Sequence, residues 1–332
     1  MNKFKKIGLT ALAASLVSVS AHAGEMTVAG SASITAEGYS GEHLNAGSGF
    51  SMGNQLTFSG SGEMDNGMTV SLSFVLDQGD DTKTTANTAT TASGGTAPFD
   101  SHSVTVSSDA LGTLKFSGEG GASSASSIDT SAAGDIWDTF DGSRGAVTAI
   151  KVTDSATGDN SIFYTLPELM DGLSVNASYK PQGSARVSGS GYGLAYTGIE
   201  GLTAKYATSD IVGTTSALSG DQTVWSVSYV YGPVTATYST SETDATTDTS
   251  SGASDSYALS YTVSDELSVT YGSETHEEDG QTTDVEVDGI SVAYTAGGMT
   301  ISAAMQSAEN LNHNTGSKFD VDYWSLGASF AF

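Results

Sequence analysis

The chain of 332 residues contains no cysteine, so neither a disulfide nor a thiolate metal site can hold it together. Positive charge is scarce: 11 Lys+Arg stand against 38 Asp+Glu, a formal net charge of -27. A surface this acidic repels a phosphate backbone, which excludes nucleic acid as a partner. Charged residues of both signs reach only 15% and hydrophobic ones 38%, both low for a soluble globular domain. After Ser20 no apolar run approaches the roughly 20 residues that a spanning helix requires, and 3.6-residue spacing is absent. What fills the sequence instead is glycine, 40 residues of it, with serine, threonine and 14 tyrosines.

The first residues follow a different rule. Lys3, Lys5 and Lys6 precede the charge-free stretch Ile7 to Ser20, and Ala21-His22-Ala23 puts small residues where a signal peptidase reads. This pattern predicts a signal peptide over residues 1–23, cleaved after Ala23, and a mature domain over 24–332 that leaves the cytoplasm. An anchoring helix is excluded on length.

Residues 24–332 alternate in steps of two. Leu202, Ala204 and Tyr206 share one face and Thr203 and Lys205 the other; Tyr257, Leu259, Tyr261 and Val263 repeat the pattern, as do Leu267, Val269 and Tyr271. Period 2 means strands. A longer period lies above it: Tyr164, Tyr196, Tyr229, Tyr261 and Tyr294 are 32, 33, 32 and 33 residues apart, each just before a short turn. The repeating unit is strand, short turn, strand, long loop, as in antiparallel hairpins of an outer-membrane barrel. Sixteen strands are predicted, with upward runs at 25–37, 69–77, 112–119, 173–180, 202–209, 234–241, 267–274 and 299–306. The downward runs are 53–63, 102–109, 160–166, 189–197, 222–230, 254–263, 285–295 and 319–332. Counting Ala146 to Thr153 as strand opens the alternative of 18. All four prolines, Pro98, Pro167, Pro181 and Pro233, fall in connections or at strand margins, where a missing N–H breaks no ladder.

A soluble sandwich would bury one face against a second sheet. Here the second face is serine, threonine, glycine, alanine and occasional lysine on strand after strand, which suits a water-filled lumen. The apolar face carries tyrosine, leucine, valine and isoleucine, free of charge along mid-strand, where a charge would cost about 2–4 kcal/mol at the bilayer midplane. Tyrosine and tryptophan near strand ends suit a membrane–water boundary, and closure leaves no unpaired edge for lipid.

The last strand, Trp324-Ser-Leu326-Gly-Ala328-Ser-Phe330-Ala-Phe332, alternates strictly and ends on phenylalanine. With it, Asp109-Ala-Leu-Gly-Thr-Leu-Lys-Phe116, Asn160-Ser-Ile-Phe-Tyr164 and Gly172-Leu-Ser-Val-Asn-Ala-Ser-Tyr179 resemble the strand blocks of the general porins of Gram-negative outer membranes. The resemblance implies an all-β transmembrane barrel integral to the outer membrane, with short periplasmic turns and long external loops. It implies Phe332 as an assembly signal read by the barrel-assembly machinery, a homotrimer, and a setting of outer-membrane lipid and lipopolysaccharide.

The stretch Gly120 to Gly145 has no strand pattern, and loops this long are usually functional or disordered. In the resembled family the corresponding loop folds into the barrel and narrows it. Here it offers Asp129, Asp135, Asp138 and Asp141, with Trp137 and Phe140 to anchor it; the bland alternative is a solvated surface loop. By parity Lys115, Lys180 and Lys205 point into the lumen, and Arg144 joins them as a candidate basic wall. With so few cations, the field in such a pore is expected to favour cations weakly. Asp77 to Asp81, and Glu274 through Asp288 with seven carboxylates, read as acidic loops that either take divalent cations or form a solvated rim. No metal site is assigned and no cofactor is expected.

Hydrolase and nucleotide motifs such as HExxH, GxSxG and the Walker A pattern are absent. The nearest approach to a nucleophile–histidine pair is Ser103 beside His102. The sequence therefore points to passive diffusion of ions and small hydrophilic solutes and away from an enzyme. The alternative from another class is a secreted acidic β-rich adhesin or surface-layer protein.

Overall fold

The computed structural model describes residues 26–40, 47–77, 101–128, 132–140, 160–181, 188–213, 219–246 and 251–332. The expected signal peptide and the additional strand candidate Ala146 to Thr153 lie outside them. Sixteen strands follow in chain order: β1 (Thr27–Ser40), β2 (Gly47–Glu63), β3 (Thr69–Asp77), β4 (Ser101–Ser108), β5 (Gly112–Glu119), β6 (Ser161–Thr165), β7 (Leu173–Lys180) and β8 (Ser188–Ile199). The second half comprises β9 (Leu202–Val212), β10 (Gly220–Tyr231), β11 (Val234–Ala245), β12 (Gly252–Thr262), β13 (Leu267–Glu278), β14 (Val285–Ala296), β15 (Met299–Glu309) and β16 (Val321–Ala331). Each pairs antiparallel with its sequence neighbours, and β1 pairs with β16, so the sheet closes as a barrel. Closure extends to the last residue, since Gly30 and Phe332 exchange backbone hydrogen bonds at 2.6 and 2.9 Å.

Connections alternate short and long. On the short side Gly297 and Gly298 have φ of +59° and +82°. Positive φ at both central residues is what a type I′ two-residue hairpin demands, and glycine meets it without a steric cost. On the long side, the span from Glu274 to Asp288 is less of a loop than its acidity suggests. β13 runs to Glu278 and β14 resumes at Val285, so five of those seven carboxylates sit on strands, Glu274 and Glu278 inward and Glu277, Glu286 and Asp288 outward.

The outer face is apolar and exposed, as in Tyr231 at 75% and Met305 at 69%. Its tyrosines are unevenly distributed. Twelve of them point outward, all between β6 and β14, from Tyr164 to Tyr294. From β15 through β16 and β1 to β5 the outer face instead carries aliphatic residues, phenylalanine and Trp324. Outward parity does not hold for every tyrosine: Tyr39 and Tyr323 fall on the opposite parity to Trp324 and face inward. There the Tyr323 hydroxyl donates to Glu37 Oε2 at 2.7 Å.

Candidate functional site: a chain segment inside the barrel

Of the chain between β5 and β6, the stretches 120–128 and 132–140 are described; they lie against the inner wall, and every wall residue they touch has lumen parity. The first arm is a serine-rich turn in which the Ser127 and Ile128 amides donate to Ser123 and Ala125 carbonyls at 3.0 Å. Its Ser124 amide donates to Ser178 Oγ of β7 at 2.8 Å. Ala125 and Ile128 are buried against Ala207 of β9 and Val224 of β10.

The second arm continues round the wall. The Ala132 amide donates to Ser239 Oγ of β11 at 2.7 Å, and the Ala133 amide to Ser256 Oγ of β12 at 2.8 Å. Ala133 sits so close to β13 that a Cβ on Gly272 would lie 2.5 Å from its own; only glycine leaves room for the two backbones there. The arm then turns through a short 3₁₀ helix, Ile136–Thr139. The Ile136 and Trp137 amides both donate to the Glu274 carboxylate, at 3.2 and 2.9 Å. Hydrogen bonds to a charged group contribute about 1.5–3 kcal/mol each. Tyr39 OH closes the far end on the Thr139 carbonyl at 2.8 Å. Phe140, fully buried, packs among Val285, Val287, Ala308, Leu311, Val321 and Tyr323.

The segment is thus amphipathic within the lumen. Ile136, Trp137 and Phe140 face the wall, while Asp135 and Asp138 are exposed. Asp135 opens the 3₁₀ turn with φ +55°, a left-handed conformation that aspartate tolerates better than most residues. Lys115, Lys180 and Lys205 occupy inward positions on β5, β7 and β9. β5 lies eight strands from β13 in the sixteen-strand order, so Lys115 stands across the barrel from the wall that seats Asp135 and Asp138. Asp129, Asp141 and Arg144 lie outside the described residues.

The structure separates the pair that came nearest to hydrolytic chemistry. His102 packs outward over Gly118, where a Cβ would lie 1.9 Å from its ring, and Ser103 points to the opposite face. It assembles a different trio instead: Ser254 Oγ lies 3.0 Å from His276 Nδ1, and His276 Nε2 lies 3.6 Å from Glu274. Spacing alone would suggest a nucleophile, a base and an acid. Burial excludes that role, because Ser254, His276 and Glu274 are 2%, 2% and 1% exposed beneath the second arm. Glu274 and His276 were missed as site residues because they read as part of an acidic loop; the parity of Tyr271 would have placed both inward. Among the described residues no three acidic or histidine side chains converge as metal ligands.

A family profile described as Gram-negative porin matches residues 8–332. No curated protein sequence matches the chain. Among solved structures, a mutant porin of Rh. blastica aligns with TM-score 0.64 at 16% identity, covering 93% of this chain and 100% of its own. The anion-selective porin from Comamonas acidovorans aligns with TM-score 0.66 at 12% identity, covering 93% and 99%.

Proposed function

The chain belongs to the Gram-negative porin family, channel proteins integral to the outer membrane, and from that premise we propose that it passes ions and small hydrophilic solutes through a constriction formed by the internal segment. One observation carries this reading: a barrel lined by serine and threonine is crossed on its inner wall by a segment whose exposed edge is Asp135 and Asp138. Hydroxyls exchange hydrogen bonds with water and sugars without binding any one of them tightly, which suits diffusion. Low-dielectric walls focus the field of those carboxylates across to Lys115, Lys180 and Lys205. With 38 Asp+Glu against 11 Lys+Arg, the sign of the bias is toward cations. The anion-selective relative shares the fold at 12% identity and carries no argument about charge.

The assembly is a homotrimer in this reading. Its subunits meet through the sector β15 to β5, whose outer face bears no tyrosine, since tyrosine belongs at a lipid boundary and apolar walls pack well against one another. Liposome swelling tests the pore. Protein refolded into liposomes admits small neutral sugars at rates that fall with sugar size, and a folded barrel that admits none contradicts the proposal.

A further inference from the structure

Burying a carboxylate is costly unless hydrogen bonds and charge compensate it. Glu274 is buried at the seat of the second arm, and by register its direct neighbours are Ser256 on β12 and Val287 on β14, neither of them a cation. Two backbone donors of the internal segment contribute to its compensation. The Ile136 and Trp137 amides donate to it. His276, two residues on along the same face, lies 3.6 Å away and is oriented by Ser254. The His276 ring in turn meets Trp137 edge-on at a centroid distance of 6.2 Å. The carboxylate therefore holds the 3₁₀ turn by its first two amides, and the His276 ring packs beside both the carboxylate and the indole that the turn carries.

We propose that Glu274 is the positioning residue of the constriction: it fixes the turn Ile136–Thr139 and so places Asp135 and Asp138 at the opening. The inference rests on the constriction reading, but its seat is measurable independently. The chain has three tryptophans. Trp225 and Trp324 point outward from the wall, so the double replacement W225F/W324F leaves Trp137 as a single reporter without touching the lumen.

In that background Glu274→Ala is compared with Glu274→Gln in the refolded full chain, with electrophoretic mobility before heating as the check on barrel integrity. Glu274→Ala is expected to shift Trp137 emission to the red and to raise its quenching by acrylamide severalfold. Open-channel current noise rises with it, and the reversal potential in a salt gradient moves toward zero. Glu274→Gln keeps one accepting oxygen and restores most of each signal, whereas a purely space-filling role would let this isostere match the parent fully. Unchanged emission and quenching in a folded Glu274→Ala barrel overturn the inference. A freed Trp137 with unchanged conductance and selectivity sustains the seat and overturns the constriction. Should Glu274→Ala fail to fold, Glu274→Gln decides alone: a partial red shift supports the assignment, and none overturns it.

Discussion

The two arms of the internal segment solve the same problem with different chemistry. The first arm is held on β7 to β10 by a serine hydroxyl and by a few apolar side chains, Ala125 and Ile128 against Ala207 and Val224. The second is held on β11 to β16 and β1 by serines, a buried carboxylate and a phenylalanine with its own apolar pocket. The stronger seat belongs to the arm that carries Asp135 and Asp138. A group whose position sets a local field must not wander, because Coulomb energies change steeply with distance at a few ångströms. An arm that only fills space can rest on weaker contacts. The difference teaches where the barrel concentrates its interior packing: beneath the charges, and not uniformly along the wall.

The comparison can be broken at several depths. Phe140→Ala empties the largest buried side chain of the second seat and is expected to cost about 3–5 kcal/mol of seating. Trp137 emission and the thermal transition of the refolded barrel both report it, and an effect no larger than that of a first-arm variant would erase the distinction between the arms. The double variant Asp135→Asn, Asp138→Asn removes charge without removing contacts to the wall. Its reversal potential in a salt gradient falls toward zero while barrel stability is unchanged. Ser178→Ala removes one hydroxyl from the first arm at about 1 kcal/mol, visible as faster amide exchange at Ser124 and nearly invisible in conductance. Smallest is the effect of a chelator. If divalent cations occupy the acidic rim, their removal lowers the denaturation temperature slightly and leaves the constriction alone, whereas a rim that is merely solvated shows no change.

Most of the fold was legible because a barrel wall obeys one short rule. Three of the sixteen predicted runs, 69–77, 112–119 and 173–180, coincide with the observed strands, and the others differ mainly in extending further toward the long-loop side. That extension has a physical reason. Beyond the apolar belt the outer face becomes polar, as at Asp221, Glu242 and Glu286, so the hydrophobic alternation stops before the hydrogen-bonded ladder does. The same effect hid Glu274 and His276 within an apparent acidic loop. Tyr39 and Tyr323 were legible by parity alone, each one step out of phase with the outward residues around it. The seat of the internal segment was not legible, because serines that accept its amides read no differently from serines that face water. Only the close approach at Gly272, and a carboxylate buried on the inward face of β13, mark it, and both depend on which strands lie side by side.

The most direct test of the central claim is the zero-current potential of the wild-type channel in a planar bilayer with a potassium chloride gradient. The internal carboxylates and the acidic surface predict stepwise conductance with a potential of the sign given by cations moving down the gradient. A potential of the opposite sign, set by chloride, would contradict the account by showing that the lysine wall, and not Asp135 and Asp138, governs the opening.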